Sequence, residues 1–203
     1  MERKKYKAGH PHGLFNLERL DPVMRAILHT YHLPNIYRAG WVEEARDINL
    51  LMAESVAEHT IGMEYIADFL RYEHFERFPD VEWNNVCPMI RVHDLSEIIT
   101  GDKTPADKMD PNKKMKDDRT AFKIIFRPLF NSESQCKLWE EFLENKTPTA
   151  KFVHQIDFLQ MIIKARIYFH LTGNVEFHNF YSPEKREKKL CQFLNTFFEQ
   201  LLN

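Results

Sequence analysis

The sequence predicts an all-α protein with a single domain. Its 203 residues fit one domain, since domains commonly contain about 100–200 residues. Only 6 glycines and the lack of sustained period-two alternation argue against a sheet, whereas apolar residues recur at helical spacing along most of the chain. The hydrophobic fraction of 43%, which includes 16 Phe, is enough to fill a sizeable core.

Charge and cysteine usage exclude several functional classes. The chain has 28 Lys and Arg against 30 Asp and Glu, so no overall positive field attracts nucleic acid or an anionic membrane. Three widely spaced cysteines without a C-x-x-C pair predict neither a disulfide framework nor a thiolate zinc site, and they fit a reducing cytoplasm. No apolar run approaches the ~20 residues that a membrane span requires.

Capping and helix-breaking residues indicate where the helices begin and end. The first residues show no periodicity and predict a flexible leader over 1–13, followed by a domain over 14–203. Asp21-Pro22 begins the first helix, and Ser55-Val56-Ala57-Glu58 is a capping box that begins another. Further helices are predicted over residues 83–99, from 121 to Pro128, and over 134–145, 147–171 and 183–202. The polar stretch 102–118 predicts a loop over the site.

Three predicted helices carry a polar side chain on an otherwise apolar face. These side chains are His59, His93 and Asp157. A single histidine in such a position is most often a core residue that is satisfied by a backbone carbonyl. A buried carboxylate needs a partner, however, because an uncompensated buried charge is costly. Two imidazoles and two carboxylates around one divalent cation, with Asp94 as the fourth group, would satisfy all of them.

The order of these residues resembles the HD-domain metal-dependent phosphohydrolases, in which a histidine, a His-Asp doublet and a distal aspartate follow one another. Four surrounding stretches are similar to the 5′-deoxynucleotidase branch of that family, at residues 38–41, 54–59, 93–102 and 104–107. The resemblance covers about residues 21–181. It implies an all-α HD-domain bundle around a buried divalent-metal site, and hydrolysis of nucleoside 5′-monophosphates to nucleoside and phosphate.

The resemblance also implies which residues bind the metal and which act on the substrate. One divalent ion, with Mn, Co, Mg, Fe, Ni and Zn all open, would be held by His59, His93, Asp94 and Asp157.

Glu97 would activate water or relay protons, and Asp102 would orient the water or contact the ribose. Arg38 would bind the phosphate, and Trp41 would form a wall of the sugar site. A cytoplasmic homodimer is expected, with a small-molecule nucleotide as its partner and neither nucleic acid nor a membrane.

The same fold is compatible with other functions. A nucleoside triphosphate hydrolase and a non-catalytic nucleotide sensor stay open. A guanosine-tetraphosphate hydrolase is disfavoured, because Ile98 rather than an acid follows Glu97. A diiron oxygenase would need more histidines between the doublet and Asp157 than His154. One departure from the family pattern follows the distal aspartate, where the family commonly has a lysine and a glutamate and this chain has Phe158-Leu159-Gln160-Met161.

Overall fold

The computed structural model describes residues 15–43, 53–104, 107–126, 129 and 132–202. These residues form helices and short 3₁₀ turns, and the β-type pairing found among them is an isolated antiparallel bridge between Tyr37 and Ser55. The predicted all-α class is therefore confirmed. The leader predicted over 1–13 lies outside the described residues, as do Pro105, Ala106 and Pro128, so the leader and the domain boundary stay predictions.

The helices follow in chain order as α1 Pro22–Thr30, α2 Ala39–Glu43, α3 Val56–His74, α4 Trp83–His93, α5 Glu97–Thr100, α6 Pro111–Phe126, α7 Glu133–Glu144, α8 Pro148–Thr172, α9 Pro183–Lys189 and α10 Gln192–Glu199. The long helix α8 lies at the centre and packs against α3, α4, α7 and α10. Met63, Ile90 and Ile156 are fully buried in the main core between these helices. Among the helices described, none has the length and apolar character that crossing a membrane requires.

Two predicted helix starts are confirmed by hydrogen bonds at their caps. The Ser55 hydroxyl accepts from the Glu58 backbone N–H at 3.2 Å, and Glu58 Oε2 accepts from the Ser55 N–H at 2.7 Å. This reciprocal pair is a capping box. At the start of α8, the Thr147 hydroxyl accepts from Ala150 N–H at 3.1 Å. A cap determines where a helix begins and therefore which residues lie on its inward face. The cap at Ser55 places His59 on the inward face of α3, and the cap at Thr147 determines the inward face of α8 in the same way.

The prediction of one continuous helix over 83–99 is wrong, because α4 ends at His93 and the separate short helix α5 begins at Glu97. The His93 carbonyl accepts from the Trp139 indole N–H at 3.3 Å. The Glu97 N–H donates instead to the Asp94 carbonyl at 3.0 Å, which interrupts the regular i to i−4 pattern. Glu97 therefore reaches the site from the first position of α5 and not from a continuous helix.

The loop predicted over 102–118 is shorter than expected, because α6 begins at Pro111. Proline suits the first turn of a helix, where its missing N–H costs no hydrogen bond. Asp118 consequently lies on α6, where it is buried and accepts from Lys114 Nζ at 2.7 Å.

The helix predicted over 183–202 is broken into α9 and α10. Leu190 between them is buried in an extended conformation, and the Cys191 N–H donates to Gln155 Oε1 at 2.6 Å. This break rotates the inward face of α10, so that Phe198 is 1% exposed whereas Phe197 is 41% exposed.

Candidate functional site

The candidate site lies where α3, α4 and α8 meet. His59 comes from the first turn of α3, His93 from the last residue of α4, and Asp94 directly follows it. Asp157 comes from the middle of α8. The two imidazoles are buried, whereas the Asp157 side chain is 32% exposed. The site is therefore reached from the side on which this carboxylate lies.

All four predicted metal ligands are brought together. One ligand atom each from His59, His93 and Asp157 lies within 4.8 Å of the other two. His59 Nε2 is 3.2 Å from Asp157 Oδ1, and Asp94 Oδ2 is 2.9 Å from His93 Nε2 and 3.9 Å from His59 Nε2. A His/His/Asp cluster of this kind could hold a metal ion.

The hydrogen bonds of both imidazoles fit such an ion. His93 Nδ1 is 2.6 Å from the Ile90 carbonyl oxygen, and His59 Nδ1 is 2.6 Å from Gln160 Oε1. Since a carbonyl oxygen can only accept, Nδ1 carries the proton in each neutral ring and Nε2 keeps its lone pair. Both Nε2 atoms are buried and find no hydrogen-bond partner in the described part of the chain. Two such nitrogens beside carboxylates are a donor set for a divalent cation.

The carboxylates of the cluster differ from Glu97 in their electrostatic environment. Burial opposes ionisation of Asp157, but the adjacent His59 imidazole and the positive charge of Arg38 outweigh it and lower the pKa of Asp157 to about 2. Burial also opposes ionisation of Asp94, but the neighbouring His93 imidazole and the positive charge of Arg38 outweigh it, so the pKa of Asp94 is lowered. Both aspartates are therefore anionic at neutral pH.

Glu97 has the opposite shift. It is 8% exposed, and burial raises its pKa well above the usual value. The charges of Asp94 and Asp102 and a hydrogen bond with Asp102 raise the pKa further, while Arg38 lowers it. Glu97 can consequently hold a proton at pH values where an ordinary glutamate is ionised, which suits a proton donor.

Asp102 connects Glu97 to the start of α2. Its Oδ2 accepts a hydrogen bond from the backbone N–H of Ala39, the first residue of that helix. Asp102 also borders a cavity of about 550 Å³ beside Arg38. The structure thus brings both predicted catalytic carboxylates to the site.

Arg38 lies directly over the cluster. Its Nη1 is 3.1 Å from Asp94 Oδ2, and its Nη2 is 3.8 Å from Asp157 Oδ1. The Arg38 N–H donates to the Glu54 carbonyl at 3.0 Å, so backbone pairing near the start of α3 holds this residue in place. The guanidinium also borders two cavities, of about 660 Å³ and 550 Å³. A bound anion could therefore reach it.

Trp41 is placed mainly in the core. It is 2% exposed, and its ring centroid lies 5.3 Å from that of Tyr168 and 4.9 Å from that of Phe180. Its indole N–H donates to Glu54 Oε2 at 3.2 Å. Trp41 also borders the 550 Å³ cavity, and its contact with a sugar stays a prediction.

Neither Glu54 nor Gln160 has a role that was predicted from the sequence. Gln160 lies three residues after Asp157 and is joined to His59, as described above, while its Nε2 donates to Glu54 Oε1 at 2.5 Å. The spacing of Gln160 on α8 was a signal, because residues three apart share a helix face. Glu54 precedes α3 and has no helical spacing that would have indicated its position.

Comparison of sequences identifies the family. Residues 31–193 match the family model of the HD domain. The 5′-deoxynucleotidase HDDC2 of Danio rerio is 30% identical over 158 residues, which cover 76% of this chain and 73% of the relative. The human and bovine proteins of that name are 30% identical over 138 residues. Each of these two alignments covers 67% of this chain. The chain spans only 63% of the human protein and 62% of the bovine protein.

Solved structures share the fold. A conserved hypothetical protein from Pyrococcus furiosus is 25% identical, with a TM-score of 0.70 over 88% of this chain and 98% of that one. A protein from Pyrococcus horikoshii OT3 is 27% identical, with a TM-score of 0.67 and coverage of 89% and 96%. The match over residues 31–193 and the sequence relatives show that this chain belongs to the HD-domain family and is similar to its 5′-deoxynucleotidases.

Proposed function

We propose that this chain is a metal-dependent phosphomonoesterase that hydrolyses 2′-deoxynucleoside 5′-monophosphates to nucleoside and inorganic phosphate. The observation that carries the proposal is the convergence of two imidazole Nε2 atoms and two ionised aspartates beneath Arg38, with a protonatable Glu97 beside them. The relatives named 5′-deoxynucleotidase support the substrate class.

The proposed metal ligands are His59, His93, Asp94 and Asp157. A divalent cation, when bound there, polarises a phosphoryl oxygen and lowers the pKa of bound water. The mixed nitrogen and oxygen donors are compatible with Mn, Co, Fe, Ni and Zn, and with Mg less readily, since Mg prefers oxygen alone.

The remaining residues bind the phosphate and move protons. Burial lowers the pKa of Arg38, but the charges of Asp102 and Asp94 raise it by more, so the guanidinium stays cationic and can bind two phosphate oxygens at once. In hydrolysis the oxygen of water bonds to phosphorus and the bond to the nucleoside oxygen breaks. The departing oxygen takes up a proton, and the proton that the water loses restores the donor. Glu97 is the proposed proton donor. Asp102, which is hydrogen-bonded with it, is proposed to orient the water or contact the sugar.

A nucleoside triphosphate hydrolase is the second candidate, and one observation favours it. Besides Arg38, four lysines line the 550 Å³ cavity: Lys103, Lys185, Lys188 and Lys189. Cations in this arrangement could neutralise phosphates beyond the first one.

We also propose a cytoplasmic location. Cys87, Cys136 and Cys191 are free thiols, and a reducing compartment keeps thiols in that state. Burial and the charge of Asp68 raise the pKa of Cys87 to about 11, which keeps this thiol protonated at neutral pH. Imaging of the tagged full chain in cells tests the location.

The metal prediction concerns thermal stability. Removal of the ion with EDTA should lower the melting temperature of the wild type and leave that of His93→Ala nearly unchanged, because a ligand of the folded state stabilises it by mass action. Differential scanning fluorimetry and elemental analysis measure both properties. His154→Ala is the control, since His154 Nε2 is bound to the Phe142 carbonyl, and it should respond like the wild type. Equal responses of wild type and His93→Ala would contradict the site.

The prediction for Glu97 separates catalysis from metal binding. Glu97→Gln should keep the metal and lose about 10²–10⁴-fold in kcat, the usual contribution of a positioned acid or base. Glu133→Gln, an exposed carboxylate on α7, is the control and should match the wild type. If Glu97→Gln keeps a rate within a few-fold of the wild type, Glu97 has no proton-transfer role.

The substrate prediction is tested by phosphate release from deoxy- and ribonucleoside mono- and triphosphates, with Mn²⁺, Co²⁺ and Mg²⁺ added separately. Trp41 and Phe180 present apolar surface to the cavity, so a buried 2′-hydroxyl that contacts them would lack a partner at a cost of about 1–3 kcal/mol. We therefore expect deoxymonophosphates to be preferred by roughly 5–150-fold in kcat/KM. Equal cleavage of ribonucleotides would refute the sugar preference, and cleavage of triphosphates alone would favour the second candidate.

We propose a homodimer that forms through the outer face of α3. Four side chains along this face are 52% to 78% exposed: Ile61, Tyr65, Phe69 and Tyr72. A continuous exposed apolar stripe commonly marks a protein interface. Sedimentation velocity should show a dimer for the wild type and a monomer for Tyr65→Lys combined with Phe69→Lys. Tyr31→Lys, at an exposed residue directly after α1, is the control and should stay dimeric. A monomeric wild type would exclude the homodimer.

A further inference from the structure

We propose that Glu54 and Gln160 are positioning residues that determine which ring nitrogen of His59 carries the proton. The inference rests on the proposed function, since it concerns a proposed metal ligand. Four buried side chains form one hydrogen-bonded chain: His59 to Gln160 at 2.6 Å, Gln160 to Glu54 at 2.5 Å, and Trp41 to Glu54 at 3.2 Å. Their exposed fractions are 0%, 6%, 3% and 2% for His59, Gln160, Glu54 and Trp41.

Only one assignment of donors and acceptors allows all three hydrogen bonds of this chain to form. The Trp41 indole can only donate, and the Glu54 carboxylate can only accept. Gln160 must therefore turn its NH₂ group toward Glu54 and its carbonyl toward His59. His59 in turn donates from Nδ1, and its Nε2 lone pair faces the cluster. The carboxylate of Glu54 thus determines the protonation pattern of a ring that it does not touch.

The second histidine shows why this arrangement is needed. His93 Nδ1 donates to the Ile90 backbone carbonyl, which is part of α4 and cannot exchange its oxygen for a nitrogen. The Gln160 amide could make that exchange by turning through 180°, which would place NH₂ against His59 Nδ1. His59 would then have to carry its proton on Nε2, where it would block a metal. The hydrogen bond with Glu54 prevents this rotation.

Packing holds both positioning residues in place. A Cβ atom on Gly62 of α3 would lie 3.1 Å from Gln160 Nε2 and 3.2 Å from Gln160 Cγ, so the glycine leaves the space that the amide occupies. The Glu54 backbone N–H donates to the Tyr168 hydroxyl at 2.9 Å. Lys164 Nζ lies 3.9 Å from Glu54 Oε1 and balances the buried charge. These contacts therefore keep the amide of Gln160 and the carboxylate of Glu54 facing each other.

Two substitutions reverse and then restore the direction of donation. In Glu54→Gln, Trp41 holds the new carbonyl, the new NH₂ faces Gln160, and the Gln160 amide turns so that its own NH₂ faces His59. In the double variant Glu54→Gln with Gln160→Glu, a carboxylate at position 160 accepts from His59 Nδ1 and from the amide at position 54. Trp41 again donates to a carbonyl oxygen, and the number of charges equals that of the wild type.

The test measures the protonated nitrogen of His59 in the metal-free full chain labelled with ¹⁵N-histidine. Two-bond ¹H–¹⁵N correlation spectra distinguish the two tautomers, and His93 serves as the internal reference because its partner is backbone. We expect the Nδ1–H form in the wild type and the double variant, and the Nε2–H form in Glu54→Gln. Affinity for Mn²⁺, measured by calorimetry, should fall about 10–100-fold in Glu54→Gln and recover in the double variant.

A second variant guards against a folding defect. Gly62→Ala displaces the Gln160 amide but keeps all four side chains of the hydrogen-bonded chain, so it should lower Mn²⁺ affinity in a protein that still unfolds cooperatively. A wild-type tautomer in Glu54→Gln, or a double variant that resembles Glu54→Gln, would overturn the proposal. Because the tautomer is read without metal or nucleotide, a switch of tautomer in a protein that hydrolyses no nucleotide would refute the proposed function alone.

Discussion

Two buried imidazole nitrogens without a hydrogen-bond partner among the described residues are the constraint on which the site depends. Burying an unsatisfied polar atom costs free energy, and here His59 Nε2 and His93 Nε2 are buried side by side. The other nitrogen of each ring is already bound, so neither ring can turn away without losing a second hydrogen bond. A divalent cation would satisfy both lone pairs at once, and Asp94 and Asp157 would add the negative charge that such a cation requires.

The helices are arranged so that these groups meet. The central helix α8 supplies Asp157, and its neighbours α3 and α4 each supply a histidine. The end of α4 at His93 is essential to this arrangement, because the break places Asp94 in the cluster and brings α5 into position. The break leaves the His93 carbonyl without its helical hydrogen bond, and the Trp139 indole N–H donates to that carbonyl instead.

The local environments divide the acidic residues into two kinds. Asp94 and Asp157 face the histidines and Arg38, which keep them ionised and available as ligands. Glu97 faces other carboxylates in a buried position, which favours its protonated form. Carboxyl groups whose pKa values are displaced in opposite directions are typical of sites in which one group stabilises charge and another transfers a proton. The proposed phosphoesterase chemistry needs both kinds.

Interactions within one helical turn could be predicted from the sequence. The capping box at Ser55 and the inward position of His59 depend on neighbours in the chain or on a helical period, and both are found in the structure. The set of four metal-competent residues, in contrast, followed from the resemblance to the HD-domain family. The interactions that only the tertiary structure decided join residues far apart in sequence. Trp139 ends α4 from 46 residues away, and Gln160 meets Glu54 across 106 residues. Spacing along the chain carries no information about such partners, because the packing of α7 and α8 against the rest of the bundle brings them together.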